Sequence, residues 1–481
     1  MSSRSPRSPK KLHSADPPPS RDRQFHVESL GCAKNQVDSE LMIAALEKAG
    51  WTLAAEPETA DVLIVNTCGF ISAAKKESIE TSLALKSRYP GKKVIMVGCL
   101  SERYGEELRR ELPELDGLLG NKDPGAIVRL VEGSARRLPQ AASPGPEARP
   151  FERSHLLSWP GSAYVKIAEG CANRCTYCAI PLIRGDLASR DKGEIVAEIG
   201  QLRERGTREL ILIAQDLGAY GKDRGSAELP RLLAAIGSLP GDFWVRMLYI
   251  HPDHFPREIL DIVAADPRFL PYFDLPFQHA APHILSAMGR RGDPRRNLEL
   301  ISEIRSRLPG AVIRSTFLVG FPGETEEDFA QLLDFQQTAA LDWMGAFTYS
   351  REEDTPAYSL PGRVVKKTAQ GRKDRLEGSQ VPITERALDG QVGRLLDVLI
   401  EEEVDGEEMS LGRAYLQAPE VDGLVVVRRR LPAGSMARVR ITRRNGVDLE
   451  GEVDAAAVRH GAGAGPSAGR EPAGGGGLPH G

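Results

Sequence analysis

Three cysteines lie close together in the segment Cys171-Ala-Asn-Arg-Cys175-Thr-Tyr-Cys178. Thiolates are the soft ligands that hold iron–sulfur clusters. A zinc loop is the alternative, but zinc sites usually need a fourth cysteine or histidine at knuckle spacing, and no nearby residue supplies one. The Cx3Cx2C spacing therefore favours an iron–sulfur cluster.

Three thiolate ligands leave one iron of a four-iron cluster open. Such an iron can bind the amino and carboxylate groups of S-adenosylmethionine, deliver an electron and release a 5′-deoxyadenosyl radical. The loop thus predicts radical chemistry on S-adenosylmethionine.

The other three cysteines, Cys32, Cys68 and Cys99, each end an apolar run in the first part of the chain. Any one of them alone could be a buried core thiol. Their shared position favours a second cluster with three thiolate ligands. Each also has a glycine beside it that allows close backbone approach, namely Gly31, Gly69 and Gly98.

The elements that must position these first three cysteines alternate between strand and helix. The strand-like runs are 25–32, 61–68 and 93–99, and helical patterns cover 39–50 and 72–88. This alternation predicts a parallel α/β sheet, whose ligand sites lie beyond the carboxyl ends of the strands. The three thiols should then meet at one edge.

The same alternation continues from about residue 159 to residue 388. Six strand-like segments occupy 163–168, 209–214, 244–250, 272–275, 313–320 and 345–349. They predict a partial (β/α)6 barrel with its functional residues just past the strand ends. The side chains at those positions are Cys171, Gln215, Asp216, His251, Gln278 and His279.

The last patterned region has short apolar runs separated by glycine-containing turns, at 395–400, 424–427 and 437–441. This pattern predicts a small antiparallel β-barrel. The two chain ends and a proline-rich stretch near 138–150 lack apolar periodicity, which is typical of disordered segments and linkers.

The composition is ordinary for a soluble globular protein. The chain has 481 residues, of which 41% are hydrophobic and 27% charged, and its formal net charge is −4. No apolar run has the length of a membrane span or follows the basic N-terminus as a signal peptide would. We therefore expect a cytoplasmic protein without a membrane partner, whose clustered cysteines serve metal or redox chemistry instead of disulfides.

Several motifs resemble the methylthiotransferase family of radical S-adenosylmethionine enzymes, over about residues 24–457. They are Ser29-Leu-Gly-Cys-Ala-Lys-Asn-Gln-Val-Asp-Ser-Glu40, Asn66-Thr-Cys-Gly-Phe70, Val97-Gly-Cys99, the cysteine loop, Ile180-Pro-Leu-Ile-Arg-Gly185, Ser189-Arg190 and Gly320-Phe-Pro-Gly-Glu-Thr325. The resemblance implies a division into a disordered tail (1–23), a methylthiotransferase N-terminal domain (24–137), a linker (138–156), a radical S-adenosylmethionine core (157–387), a TRAM-type domain (388–457) and a glycine-rich tail (458–481).

The resemblance also implies two [4Fe–4S] clusters. Cys171, Cys175 and Cys178 would bind the cluster that cleaves S-adenosylmethionine. The first three cysteines, Cys32, Cys68 and Cys99, would bind an auxiliary cluster that carries the sulfur to be transferred. S-adenosylmethionine would then be both methyl donor and radical source.

Three further side chains near the cysteine loop have less specific expectations. Tyr177 either contacts the adenine of S-adenosylmethionine or is a core aromatic. Arg184 and Arg190 could contact a carboxylate, but most arginines in loops are surface charges. We therefore expect surface charges here and assign neither arginine a catalytic role.

The family divides into enzymes that modify a tRNA adenosine and enzymes that modify an aspartate of small-subunit ribosomal protein S-twelve. The second branch is favoured by Ser29-Leu-Gly-Cys32, Ala214-Gln-Asp-Leu-Gly-Ala-Tyr-Gly221 and Asp274-Leu-Pro-Phe-Gln-His-Ala-Ala-Pro-His-Ile-Leu285. The tRNA branch typically has Gln-Ser-Gly where this chain has Gln278-His279-Ala280. The expected partners are the S-twelve protein, in or near the small subunit, and a low-potential electron donor such as flavodoxin or ferredoxin.

The charge of the last domain agrees with a protein substrate. Residues 388–455 contain fourteen Asp or Glu and nine Arg, whereas a module that grips an RNA backbone should be basic. A tRNA methylthiotransferase is the nearer alternative, because 428–430 and 443–444 could form a basic patch. A non-catalytic iron–sulfur scaffold that binds ribosomes is the more distant alternative.

Overall fold

The computed structural model describes residues 23–133 and 153–459. Both predicted tails and most of the predicted linker fall outside these ranges, apart from Arg23, residues 458–459 and the segment 153–156.

The N-terminal domain is a five-stranded sheet in the order β2-β1-β3-β4-β5, in which every pair of strands is parallel. This confirms the parallel α/β prediction. The central strand β3 is buried along its whole length, because helices cover both of its faces. The strands are Gln24–Ser29 (β1), Thr52–Leu53 (β2), Val62–Thr67 (β3), Lys93–Gly98 (β4) and Gly117–Leu119 (β5), and the helices are Ala33–Lys48 (α1), Ser72–Arg88 (α2), Cys99–Glu111 (α3) and Ile127–Glu132 (α4).

The core is a six-stranded parallel sheet whose strands follow one another in chain order, with a separate two-stranded ribbon of β7 and β8. This is the predicted partial barrel. The strands are Ser162–Lys166 (β6), Ala168–Glu169 (β7), Ala188–Ser189 (β8), Glu209–Ile213 (β9), Trp244–Met247 (β10), Phe269–Asp274 (β11), Val312–Val319 (β12) and Trp343–Thr348 (β13). The helices are Ile180–Arg184 (α5), Lys192–Glu204 (α6), Leu229–Gly237 (α7), Ile259–Ala265 (α8), Pro282–Ala287 (α9), Pro294–Arg307 (α10), Glu326–Ala339 (α11) and Lys366–Asp389 (α12).

The C-terminal domain is a closed barrel in the order β14-β15-β16-β18-β17. Its pairs are antiparallel as expected, except that β16 and β18 are parallel. The strands are Leu395–Glu403 (β14), Ser410–Arg413 (β15), Val425–Val427 (β16), Met436–Asn445 (β17) and Asp448–Arg459 (β18).

Buried charges fix this barrel against the core sheet. The carboxylate of Glu209, at the start of β9, accepts hydrogen bonds from Arg413 of the barrel and Arg246 of β10, each at 2.6 Å. All three side chains are nearly inaccessible to solvent. This contact fixes the barrel at the amino-terminal end of β9.

In the described part of the chain, no helix is both long enough and apolar enough to cross a membrane.

Candidate active site

All six cysteines line one cavity of about 1520 Å³ between the N-terminal domain and the core. None of the six is in a disulfide. The two groups of cysteines that the sequence separates by more than seventy residues, ending at Cys99 and starting at Cys171, thus open into the same space. Neither the sheet prediction nor the barrel prediction alone required this arrangement.

Tight backbone turns bring the first three thiols to the sheet edge. Cys99 begins α3 directly after Gly98, whose φ is +94°. A Cβ atom at Gly98 would lie 2.2 Å from Asn66 Oδ1, and one at Gly69 would lie 2.8 Å from the carbonyl oxygen of Cys99. The close approach that the glycines predicted is therefore present.

The cysteine loop, 171–178, is held by backbone hydrogen bonds and by contacts with α9. The N–H of Cys171 donates to the carbonyl of Gly185 at 3.1 Å. Thr176 bonds to the end of α9 through its N–H, to Met288 O at 2.9 Å, and through its hydroxyl, to Ala287 O at 2.7 Å. These contacts position the loop just past the end of β7.

The thiols are suited to binding a cofactor that favours their charged form. Burial raises the pKa of Cys68 and of Cys178 to about 12, and it also raises the pKa of Cys99 and Cys171. A raised pKa means that forming a buried thiolate costs free energy. Metal binding requires thiolates and stabilises them, so ligation would offset that free-energy cost.

The donor atoms and the cavity fit iron–sulfur clusters and a polar cosubstrate. Six soft thiols face the cavity, and Gln215 Oε1 and Arg290 Nε are buried there without a hydrogen-bond partner among the described residues. No three described His, Cys, Asp or Glu side chains are gathered to hold a single metal ion.

Arg184 is not a surface charge, so that prediction was wrong. It is 6% exposed, and its guanidinium donates to Asn35 Oδ1 at 2.7 Å and to Cys99 Sγ at 3.3 Å, both in the N-terminal domain. Burial acts to lower the pKa of Arg184, but Glu169 and Asp38 more than offset it and hold the pKa above its ordinary value. The loop position of Arg184 in the sequence could not reveal the carboxylate of Asp38, which another domain supplies.

A second buried cation, a lysine, completes this network across the domain boundary. Lys166, on β6, donates to Asp38 Oδ1 at 2.5 Å and to Glu169 Oε2 at 2.6 Å. Asp38 also accepts from Arg184 at 3.1 Å. Two cations of the core thus hold one buried carboxylate of α1 in place.

Arg190 is also mostly buried, contrary to expectation. Its guanidinium donates to Glu198 Oε2 at 2.7 Å. Arg153, in the range predicted as linker, is 2% exposed and donates to Glu198 at 2.7 Å and to Glu40 of α1 at 2.6 Å. These residues anchor the chain where it enters the core.

The strand-end residues of the core take different positions. Gln215, His251 and Gln278 line the cavity with the cysteines. Asp216 lies behind them and holds Asn173 of the cysteine loop at 3.0 Å. His279 is fully buried, and its Nε2 has no described hydrogen-bond partner. The sequence therefore predicted the correct edge of the core sheet, but it did not predict which of these side chains face the cavity.

Burial controls the charge of the histidine in this wall. It lowers the pKa of His251 to about 3, and the charge of Arg290 contributes in the same direction. His251 is therefore neutral at pH 7.

Tyr177 lines the cavity between two cysteines of the loop. It also packs against the hydrophobic cluster that contains Ala281, Ile284 and Met288. The position is compatible with both expectations for this residue.

Sequence reasoning missed two cavity residues. Lys34, two positions after Cys32, lies with its ammonium 3.6 Å from the centroid of the Tyr249 ring. Burial lowers the pKa of Lys34 to about 8. Tyr249 follows β10 with φ +66°, a conformation that is unusual for a bulky residue. In the sequence, the position of Lys34 two residues after Cys32 could have indicated that it lies near the thiols.

A further contact between domains was also missed. The carboxylate of Glu352, 1% exposed, accepts from Lys75 of α2 at 2.8 Å and from Arg103 of α3 at 2.9 Å. These three residues join the N-terminal domain to the loop after the last core strand, and two of them, Lys75 and Glu352, also line the cavity.

Comparisons with known proteins agree with this architecture. Residues 24–120 match the uncharacterized protein family UPF0004, residues 165–335 the radical SAM superfamily and residues 392–453 the TRAM domain. Among solved structures, the radical S-adenosylmethionine methyltransferase TsrM from Kitasatospora setae, with tryptophan and an S-adenosylmethionine analogue bound, has a TM-score of 0.54 at 16% identity. That match covers 70% of this chain and 75% of the other, and it shows similarity of fold.

Curated relatives are much closer in sequence. The ribosomal protein uS12 methylthiotransferase RimO of Treponema denticola is 44% identical over 459 residues, which cover 87% of this chain and 98% of the relative. The protein of the same name from Moorella thermoacetica is 45% identical over 434 residues, covering 89% and 98%. By this similarity, the chain belongs to the family of ribosomal protein uS12 methylthiotransferases.

Proposed function

We propose that this protein attaches a methylthio group to the β-carbon of an aspartate in ribosomal protein uS12, the S-twelve protein of the small subunit, using S-adenosylmethionine. The observation that carries the proposal is the single cavity lined by all six cysteines. Relatives that share over 40% of their residues with this chain are named for this activity.

In this proposal Cys171, Cys175 and Cys178 hold the [4Fe–4S] cluster that cleaves S-adenosylmethionine, and Cys32, Cys68 and Cys99 hold the auxiliary one. When bound, the two clusters supply the electron for that cleavage and the sulfur for transfer. The protein's part is to keep both sets of thiols facing one space.

The cavity has room for a second reactant beside S-adenosylmethionine. Its volume of about 1520 Å³ exceeds the roughly 300–1,000 Å³ of common small-molecule pockets. A chain segment of uS12 can therefore enter it together with the cosubstrate. Enclosing both excludes water from a reactive carbon radical.

Tyr177 is proposed to contact the adenine of S-adenosylmethionine. Its position in the cysteine loop puts an aromatic face beside the thiols of Cys175 and Cys178. An adenine ring can stack on such a face.

The cavity mouth favours modification of uS12 in or near the small subunit. Arg351, Arg363, Lys366 and Lys367 line it, and none forms an ion pair with a described carboxylate. Ribosomal RNA phosphates around uS12 would attract such cations. A low-potential carrier such as flavodoxin or ferredoxin would supply the electrons, and the ribosomal substrate places the reaction in the cytoplasm.

The barrel gives little support to a tRNA substrate. Its acidic run ends β14 and continues into the turn before β15, where 405–408 are exposed. Arg430 is paired with Glu403 at 2.9 Å, and Arg443 with Glu450 at 2.7 Å, so part of the basic patch is neutralised within the barrel.

The proposal is tested by mass spectrometry of uS12 after anaerobic incubation with the reconstituted enzyme, S-adenosylmethionine, sulfide and a low-potential reductant. A methylthio increment on one aspartate is expected, and Cys171→Ala serves as the inactive control. An increment on a tRNA adenosine in a parallel reaction, with none on uS12, would contradict the proposed substrate. Full iron content without cleavage of S-adenosylmethionine would indicate a scaffold.

A further inference from the structure

Lys34 is a buried cation without an anionic partner. It is 8% exposed and lines the cavity that contains all six cysteines. Its ammonium lies over the ring of Tyr249, and it has no hydrogen bond or ion pair with a described residue. The face of an aromatic ring attracts a cation, but it supplies no acceptor oxygen for the three N–H donors of the lysine ammonium.

Neighbouring buried cations differ from Lys34 in this respect. Lys166 and Arg184 share the carboxylates of Asp38 and Glu169. Removing a charge from water costs several kcal/mol unless it is paired and hydrogen-bonded, which is why buried charges normally have partners. A lysine left unpaired next to paired ones indicates that an anion binds there when the cavity is filled.

The backbone around Lys34 favours an anion as well. Lys34 lies in the first turn of α1, a helix of sixteen residues. The residue before the helix, Cys32, makes no side-chain cap, and the first turn contains no acidic residue. The positive end of the helix dipole therefore adds to the charge of the ammonium.

We propose that Lys34 binds the side-chain carboxylate of the target aspartate, an inference that rests on the proposed function. That carboxylate is bonded directly to the carbon that gains the methylthio group. Holding it at Lys34, two residues from Cys32, would place the reacting carbon in the cavity that both groups of thiols line. Lys34 is thus a substrate-positioning residue that selects aspartate over its neutral amide.

Nearby carboxylates of the protein do not compete for this lysine. Asp274 accepts from Arg314 at 3.4 Å and from the N–H of Tyr249 at 3.3 Å. The second of these bonds holds the backbone of the tyrosine whose ring lies against Lys34. The site therefore remains open to an anion from outside the chain.

The experiment compares the binding of two forms of purified uS12 to the reconstituted enzyme: the natural protein, and a variant with asparagine at the aspartate that the wild-type enzyme modifies. We expect the wild-type enzyme to bind the aspartate form about tenfold more tightly, as for a hydrogen bond between charged groups. Lys34→Met should bind both forms alike. Lys34→Arg should retain part of the preference, and Lys48→Met, at the exposed end of the same helix, all of it.

Two results would overturn the inference. One is an equal affinity of the wild-type enzyme for both forms of uS12. This result does not depend on whether any variant of the enzyme folds. The other is a full preference in Lys34→Met, which would mean that the anion at Lys34 is a sulfur of the auxiliary cluster or the carboxylate of S-adenosylmethionine. Because the wild-type enzyme is first shown to modify uS12, either result leaves the proposed function intact, whereas failure to modify uS12 contradicts that function itself.

Discussion

The guanidinium of Arg184, from the core, lies 3.3 Å from the sulfur of Cys99, from the N-terminal domain. The contact joins the short helix α5, which follows one group of cysteines, to a ligand of the other proposed cluster. The two groups of thiols line one cavity, and this buried polar contact connects the elements that carry them.

Removal of Arg184 should separate the two halves of the site. In Arg184→Met the buried carboxylate of Asp38 keeps only Lys166, and we expect a loss of about 3–5 kcal/mol in the free energy of unfolding, as when one partner of a buried pair is removed. Urea unfolding of the protein measures this. Arg110→Met, whose side chain is 75% exposed, is the matched control and should change stability by less than about 0.5 kcal/mol. Equal effects of the two substitutions would contradict a special role for Arg184.

The two groups of cysteines should separate cleavage from transfer. Cys171→Ala should abolish cleavage of S-adenosylmethionine. Cys68→Ala should leave cleavage but prevent insertion of sulfur. Chromatographic detection of 5′-deoxyadenosine and mass spectrometry of uS12 report the two steps. Transfer of the methylthio group by both variants would show that the two-cluster assignment is wrong.

Gly98 should be required for the position of Cys99. In Gly98→Ala the new Cβ would lie 2.2 Å from Asn66 Oδ1, in a backbone conformation with φ +94°. We expect this variant to lose most of the auxiliary cluster, measured as iron per chain and by EPR spectroscopy. Gly50→Ala is a close control, because φ is +86° there and no atom lies within 4 Å of the new Cβ. Its cost should be only the backbone strain of about 1–2 kcal/mol, with unchanged iron content.

Acid should weaken the attachment of the barrel to the core. Burial raises the pKa of Glu209, but Arg413 and Arg246 lower it more, to about 2, from an ordinary value of 4.5. Because the pKa is lower in the folded state, the stability from the ionised carboxylate is complete above about pH 4.5 and is lost as the pH falls toward 2. The loss amounts to about 3 kcal/mol.

Urea unfolding of the wild-type protein and Glu209→Gln, at about pH 7 and pH 3.5, tests this. The variant should be less stable at the higher pH, and the difference should shrink at the lower one. Glu407→Gln, exposed on the same barrel, should match the wild type at both. A difference between wild type and Glu209→Gln that does not depend on pH would contradict the role of this carboxylate.

Much of the fold could be predicted because its signals are local. The runs that end at Cys68 and Cys99 are strands whose side chains are largely buried, and such strands have continuous apolar sequences. The run that ends at Cys32 contains the strand β1, which is only partly buried. The helix predicted over 72–88 is α2 without change. The polar residues Gln278 and His279 follow β11 within five positions of its end, as expected for a barrel. Each of these features depends on residues close together in the chain.

The sequence by itself determined the chemistry of the site, because the identity of the thiols and the spacing Cys171, Cys175 and Cys178 are properties of the chain. The tertiary structure alone decided which groups share a cavity and which charges are paired. Arg184 became a buried interdomain contact and Lys34 a buried cation over an aromatic ring because Asn35 and Tyr249, the residues that they contact, are distant in the chain. The energy of a charge depends on the groups and the solvent that surround it.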